Sequence, residues 1–243
     1  MQPTSSRIQY RYYDLVMATF VTVLLLSNLL SSAKIIDIGL GSVGSLAFIF
    51  DAGTIVFPIS YIFGDILTEV YGYKRSRRVI WMGFGASVLM ALCVWVVGLL
   101  PGEAYWVDST GQSAYDAILG GIPNLIVASL AAYLAGEFLN SFVLAKLKVI
   151  TEGRYLWVRT IGSTLIGEGA DSIIFVGIAT LLGTPGFVPE IMLSLIATNY
   201  ILKVGIEAAM TPVTYKVVNT LKRVENEDYY DRDTDFNPFK LSA

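Results

Sequence analysis

The chain has 243 residues, of which 54% are hydrophobic and only 15% charged, with a mean hydropathy of +0.61; so little polar side chain cannot clothe a soluble globule of this size. The net charge of −3 arises from 17 Lys and Arg and 20 Asp and Glu that gather in separate loops, which is not the footprint of a nucleic-acid binder. One cysteine, Cys93, and no histidine exclude a disulfide framework, a His/Cys metal site and a serine–histidine catalytic pair.

A bilayer core about 30 Å thick takes roughly 20 apolar residues of helix, because lipid offers no partner for free backbone groups. Residues 1–13 are polar, and the apolar run after them lacks a small-x-small exit, so the first hydrophobic segment reads as a retained span and not as a signal peptide. Six spans follow in chain order: residues 15–32, 54–71, 79–100, 123–147, 157–182 and 188–218. Residues 34–51, with Gly39, Gly41 and Gly44, are too broken to cross; they read as a connection, with a dip into a protein-buried part of the membrane as one option. The expected fold is therefore all-α, a bundle of six transmembrane helices in a single domain of residues 1–223, followed by an acidic tail of residues 224–243.

Lys and Arg set the orientation. Arg7 and Arg11 precede the first span, Lys74, Arg75, Arg77 and Arg78 join spans two and three, Lys146, Lys148 and Arg154 join four and five, and Lys216, Lys222 and Arg223 end the sixth. The opposite loops hold Glu103, Asp108, Asp116 and Glu190, with only Lys34 against the trend. Both termini are thus expected in the cytoplasm, with residues 225–235 solvated and weakly ordered.

Polar residues inside spans carry the functional signal, since an ionised group at mid-membrane costs at least a few kcal/mol. Span two has Asp65, Thr68 and Glu69; span four Glu137 and Asn140; span five Ser163, Thr164, Glu168 and Asp171; span six Asn199, Lys203 and Glu207. Spacings of three and four put each set on one helix face, so four polar stripes imply a polar interior. A single Lys203 cannot neutralise all of these carboxylates, and Arg159 near the start of span five is a candidate to help. The competing reading is structural glue between helices, which fits Asn28, Asn199, Ser163 and Thr164 about as well. For Glu69 a pairing with Lys74 or Arg75 of the adjacent basic loop is an equally good account. The run Tyr61-Ile62-Phe63-Gly64-Asp65 lacks the first glycine of a membrane aspartyl protease, and no phosphate-binding loop is present, so neither proteolysis nor ATP hydrolysis is expected.

The runs FPISYIFGDILTEVYGYKRSRR from Phe57, AGEFLNSFVLAKLK from Ala135, RTIGSTLIGEGADSIIF from Arg159 and YILKVGIEA from Tyr200 resemble the queuosine-precursor transporter family over about residues 13–220. The resemblance implies a six-helix carrier of the inner membrane, not an enzyme, that imports a 7-deazaguanine for tRNA modification: 7-cyano-7-deazaguanine, its aminomethyl analogue or queuine. By motif position it carries over Asp65, Asn140, Ser163, Asp171 and Lys203 as site members, with Glu137 and Glu168 beside them, and no cofactor or metal. Some relatives have amides at the positions of Glu137 and Glu168 and an acid at that of Asn140, which leaves the preferred substrate open. Expected partners are the 7-deazaguanine, the lipid bilayer and, as an option, a second copy in a homo-oligomer. Proton coupling through Glu168 or Asp171 and facilitated diffusion fit equally. The alternatives are the substrate-binding membrane subunit of a multi-subunit ATP-driven importer, and a membrane enzyme or structural subunit.

Overall fold

Apolar runs that must satisfy their own backbone groups fold as helices, and five such helices are long and apolar enough to cross a membrane among the residues that the computed structural model describes: 10–43, 46–109, 111–120, 122–184 and 187–240. They are α1 (Tyr13–Ala33), α3 (Tyr73–Gly98), α6 (Ile122–Ile150), α7 (Leu156–Leu181) and α8 (Pro189–Glu225). Large apolar side chains such as Leu89, Trp95, Leu181, Leu193 and Ile201 lie exposed on their outer faces, as lipid contact requires.

The second expected span takes a different form. A 3-10 turn, Ala52–Ile55, leads into α2 (Phe57–Tyr71), whose 15 residues reach only about 22 Å at 1.5 Å per residue. Pro58 falls in its first turn, where a missing N–H costs nothing. All of α2 except Ile59 and Phe63 is buried, so it is the central helix of the bundle, wrapped by α1, α3, α6 and α8. Tyr61, Ile66 and Leu67 of α2 pack with Phe20 and Leu24 of α1, Ile80 of α3 and Tyr133 of α6.

The bundle is helical as expected, with one extended interruption at residues 35–43 and 46–51. Strands β1 (Ile35–Val43) and β2 (Leu46–Asp51) form an antiparallel hairpin with Ile35 opposite Asp51 and an irregular register between Asp37 and Ser42. Glycine lowers helix propensity there, and pairing two extended segments satisfies backbone groups that a lone irregular chain would leave open. The connection between α3 and α6 holds two short helices, α4 (Ala104–Ser109) and α5 (Gln112–Tyr115), then a π-helical turn, Asp116–Gly120.

Helices α6 and α7 make the most extensive contact of any pair. Gly136 and Gly167 allow it: a Cβ on Gly167 would lie 2.9 Å from the Gly136 carbonyl oxygen and 2.8 Å from Asn140 Cβ.

The acidic tail is not the solvated, weakly ordered end that its composition suggests. Asp231 accepts from the Tyr73 N–H at 3.0 Å, and the Tyr73 hydroxyl donates to the Phe236 carbonyl at 3.1 Å. Arg77 donates to the Asp235 carbonyl at 2.9 Å, and Trp81 Nε1 to that of Pro238 at 2.8 Å. The first N–H groups of a helix have no partner within it, and the tail supplies one for α3. Gly72, at φ +87°, makes the α2–α3 turn, and any side chain there would strike the Tyr229 ring. At the same end Glu225 accepts from the backbone N–H of Arg11 and Tyr12, at 2.8 and 2.6 Å. The 37 residues of α8 span about 55 Å at 1.5 Å each, so the helix outruns a bilayer core of about 30 Å and brings the tail to the start of α3 and to Lys148 near the end of α6.

Candidate functional site

The four polar stripes meet in the bundle interior. Helix α2 contributes Asp65, α6 contributes Glu137 and Asn140, α7 contributes Ser163, Thr164, Glu168 and Asp171, and α8 contributes Asn199, Lys203 and Glu207; all are buried. Lys203 Nζ donates to Asp171 Oδ2 at 2.5 Å and lies 3.3 Å from Glu168 Oε2. The same ammonium sits over the Phe57 ring, 4.2 Å from its centroid, a position favourable for a cation. Asn140 Nδ2 donates to Asp65 Oδ1 at 2.7 Å, and the Thr164 hydroxyl donates to Glu207.

Of the seven residues carried over from the family motifs, Lys203, Asp171 and Glu168 form one group and Asp65 and Asn140 a second. Glu137 lies with its Oε1 against Gly64, and neither of its oxygens has a hydrogen-bond partner among the described residues. Ser163 stands apart: its hydroxyl is spent on the Thr160 carbonyl of its own helix, at 2.9 Å. Asn140 Oδ1, the Tyr61 hydroxyl and both Glu168 oxygens are likewise buried without a hydrogen bond among the described residues. Unmatched polar atoms in a packed interior are costly, and their concentration here makes this cluster the candidate site. No group of three or more His, Cys, Asp or Glu suited to a metal ion occurs among the described residues.

A cleft on the hairpin side reaches Asp171 and Lys203 past Ser31, Asp51, Thr54 and Ser129. Its volume, about 30 Å³, matches the share of one water in the liquid, far below the roughly 300–1,000 Å³ of ligand pockets. Asp51, at the foot of the hairpin, accepts from Ser31 Oγ at 2.5 Å and from the Thr54 hydroxyl at 2.9 Å, while Thr54 also lies 3.3 Å from Asn199 Oδ1. Asp51, Ser31 and Thr54 carry a single signal in the sequence, an acid closing the apolar run of residues 46–50.

The other end of the interior is sealed by charge. Glu69 Oε1 takes Arg159 at 2.7 Å and Lys222 at 2.6 Å, with Lys148 at 3.5 Å, and Asp228 of the tail joins Lys148 at 2.6 Å and Lys222 at 2.9 Å. Glu69 therefore does not pair with Lys74 or Arg75, which lie in the first turn of α3, and Arg159 does not help neutralise the inner carboxylates. Arg75 instead donates to the Tyr71 carbonyl at 2.8 Å and lies over the Tyr10 ring. Burial pushes the Asp228 carboxyl up, but its bonds to Lys148 and Lys222 outweigh that and hold it below the ordinary carboxylate value.

The family model described as "Putative vitamin uptake transporter" matches residues 51–217, a stretch that opens at Asp51 and contains every residue of the interior cluster. The chain is 28% identical over 165 residues to the "Probable queuosine precursor transporter" of Bacillus subtilis (strain 168), covering 67% of this chain and 69% of that one. It is 24% identical over 179 residues to the protein of the same description from Haemophilus influenzae, covering 74% and 72%, and 25% identical over 166 residues to the "Queuosine precursor transporter" of Escherichia coli (strain K12), covering 68% and 71%. No solved structure matches the chain.

Proposed function

We take as premise that this chain belongs to the family described as "Putative vitamin uptake transporter", and propose that it carries a queuosine precursor across the cell membrane and binds it between Asp65–Asn140 and Asp171–Lys203. It is a multi-pass membrane transporter and not an enzyme. The cargo is a 7-deazaguanine: the 7-cyano compound, the 7-aminomethyl compound or queuine. The observation that carries the site is the pairing, in one buried interior, of carboxylates with an amide and an ammonium, each tied to the other until a ligand replaces it. A guanine-like edge offers a ring N–H and an amino group to one carboxylate, while its carbonyl accepts from Asn or Lys. The aromatic ring of Phe57 beneath Lys203 gives the flat base a surface to stack on.

Transport proceeds by alternating access. The cleft on the hairpin side must widen to admit a base, and the Glu69 cluster must part to release it. In this reading α2 is the sixth crossing, short because protein and not lipid surrounds it, and the even count puts both termini in the cytoplasm beside the basic loops. The carrier acts alone; the ATP-driven importer has no observation in its favour.

The test is uptake of labelled 7-cyano-7-deazaguanine, 7-aminomethyl-7-deazaguanine and queuine into proteoliposomes made with the purified chain. The parent protein is expected to exchange at least one of them, and Asp171→Asn and Lys203→Ala to lose at least tenfold in rate, the loss of one charged hydrogen bond of about 1.5–3 kcal/mol. No exchange by the parent protein would sink the autonomous carrier, and undiminished exchange by both variants would sink the site.

A further inference from the structure

Away from the interior cluster, a groove of about 380 Å³ opens where the tail crosses α3 and α6, against about 30 Å³ for the cleft beside Lys203. Its volume falls within the roughly 300–1,000 Å³ of ligand pockets. Trp81 of α3, Leu134, Phe138 and Phe142 of α6, and Phe236 and Phe239 of the tail supply most of its wall, and none of the side chains lining it is charged. Trp81 stands 6.0 Å from Phe138 and 5.9 Å from Phe239, and Phe142 meets Phe236 edge-on at 5.2 Å. Leu139, Phe142 and Phe239 are exposed at the rim, so the groove opens on the outer face of the bundle, where lipid lies.

The chemistry changes in order along α6. Ala135, Phe138, Phe142 and Lys146 follow at spacings of three and four, so they share one face of the helix. From Leu134 to Phe142 the wall is apolar over about 12 Å, at 1.5 Å per residue, which approaches half of a bilayer core of about 30 Å. One turn further, at the tail end, Lys146 Nζ lies 4.3 Å from the centroid of the Phe236 ring and 5.7 Å from that of Phe142. The ion pairs of this end are made by Lys148, Lys222 and Lys240, and none reaches Lys146 among the described residues. Lys240 answers Asp235 at 2.9 Å, and Arg77 donates to the carbonyl oxygens of Asp235 and Asn237, so these groups together leave an excess of positive charge at the head of the groove. An apolar channel nearly one leaflet deep, headed by an ammonium with no carboxylate, matches a phospholipid laid along the helix with its chain inward and its phosphate at the lysine.

We propose that this groove binds an acyl chain of an anionic phospholipid from the leaflet at the tail end of the bundle, with the phosphate on Lys146. The chain packs against Phe236 and Phe239, so the lipid clamps the tail to α3 and α6. The site stands apart from the transport reading, and neither depends on the other.

The experiment uses full-length protein in which Trp95, Trp106 and Trp157 are replaced by Phe, leaving Trp81 as a reporter in the groove wall. It is reconstituted in phosphatidylcholine vesicles with rising fractions of phosphatidylglycerol brominated near mid-chain, which quenches an indole on contact. Quenching of Trp81 should saturate at a low fraction, and at about fivefold less brominated phosphatidylglycerol than brominated phosphatidylcholine, the worth of one Lys beside a charged lipid. A protein that keeps only Trp95, exposed on the same helix, should show the unsaturated quenching of ordinary lipid contact, with no such preference. Lys146→Gln should abolish the headgroup preference and Lys146→Arg keep it, which separates lost charge from lost fold. Ala135→Leu should fill the groove and weaken quenching of Trp81 by both lipids. Trp81 that behaves like Trp95 would reduce the groove to ordinary lipid-facing surface, and unquenched Trp81 would mean that another occupant, such as a second copy of the chain, covers it. A preference unmoved by Lys146→Gln would remove the headgroup assignment. Each of these three results overturns the proposal.

Discussion

Lys203 answers two carboxylates at once, and this sets the sign of every substitution around it. Removing the ammonium leaves Asp171 and Glu168 facing each other in a low-dielectric interior, whereas removing one acid leaves an ordinary pair. Lys203→Ala is therefore expected to destabilise the protein by about 3–5 kcal/mol, the usual cost of stranding a buried charge, seen as a lower unfolding midpoint in detergent. The double variant Lys203→Ala with Asp171→Asn should regain part of that stability and none of the transport. A double variant no more stable than the single one would show that Lys203 acts on the fold by packing and not by charge. Such residue-level chemistry was legible in the sequence, because acids and a lysine at spacings of three and four on apolar helices admit few placements. Their partners were not. Which carboxylate Lys203 would choose, and that Arg159 would turn to Glu69, depend on helix rotation and depth, which periodicity leaves free.

At the level of elements, the α6–α7 contact fixes how far apart the two halves of the site stand. Gly136 and Gly167 bring Asn140 and Glu137 on one helix against Glu168 and Asp171 on the other. Gly167→Ala would drive a methyl against backbone as well as Asn140 Cβ, and backbone cannot rotate aside. Overpacking of this kind costs about 1–3 kcal/mol, so the variant should unfold at lower temperature and lose uptake more than expression. Full uptake by Gly167→Ala would mean that the helices tolerate a wider spacing. The long helices could be read from length and hydropathy alone. Three elements could not be read in full, each for a physical reason. Helix α2 was legible as a helix within residues 54–71 but not as one of only 15 residues, because protein surrounds it and lipid thickness no longer dictates its length. The hairpin of residues 35–51 has strands too irregular, between Asp37 and Ser42, for a clean alternation of polar and apolar residues. The tail has the composition of a disordered segment, and it is ordered by backbone and side-chain partners 80 residues or more away in the chain.

On the scale of the whole molecule, one end of the bundle is held by hydrogen bonds on the hairpin side and the other by charge, and the tail belongs to the charged end. Asp228 grips Lys148 and Lys222, the same two ammoniums that seal Glu69, so the tail and the seal should loosen together. The sign of the pH dependence follows from Asp228. Its carboxyl is held below its ordinary value of 3.8, so its contribution is fully present above that value and is lost as pH falls through the lower folded one. Asp231 acts in the opposite sense: burial raises it, so its contribution is greatest in acid and fades as pH rises, and it keeps part of the tail in place. A single cysteine at exposed position 233, made as Asp233→Cys in a Cys93→Ser background, reads both location and grip. A spin label there should be immobile at neutral pH, gain mobility as pH drops below 3.8, and be mobile already at neutral pH when Asp228→Asn is added. The proposed cytoplasmic placement of the tail predicts that the same cysteine reacts with a membrane-impermeant maleimide in inverted vesicles and not in intact cells. Labelling from outside intact cells would reverse the orientation, and mobility unaffected by Asp228→Asn would show that the tail is held by its contacts with α3 alone.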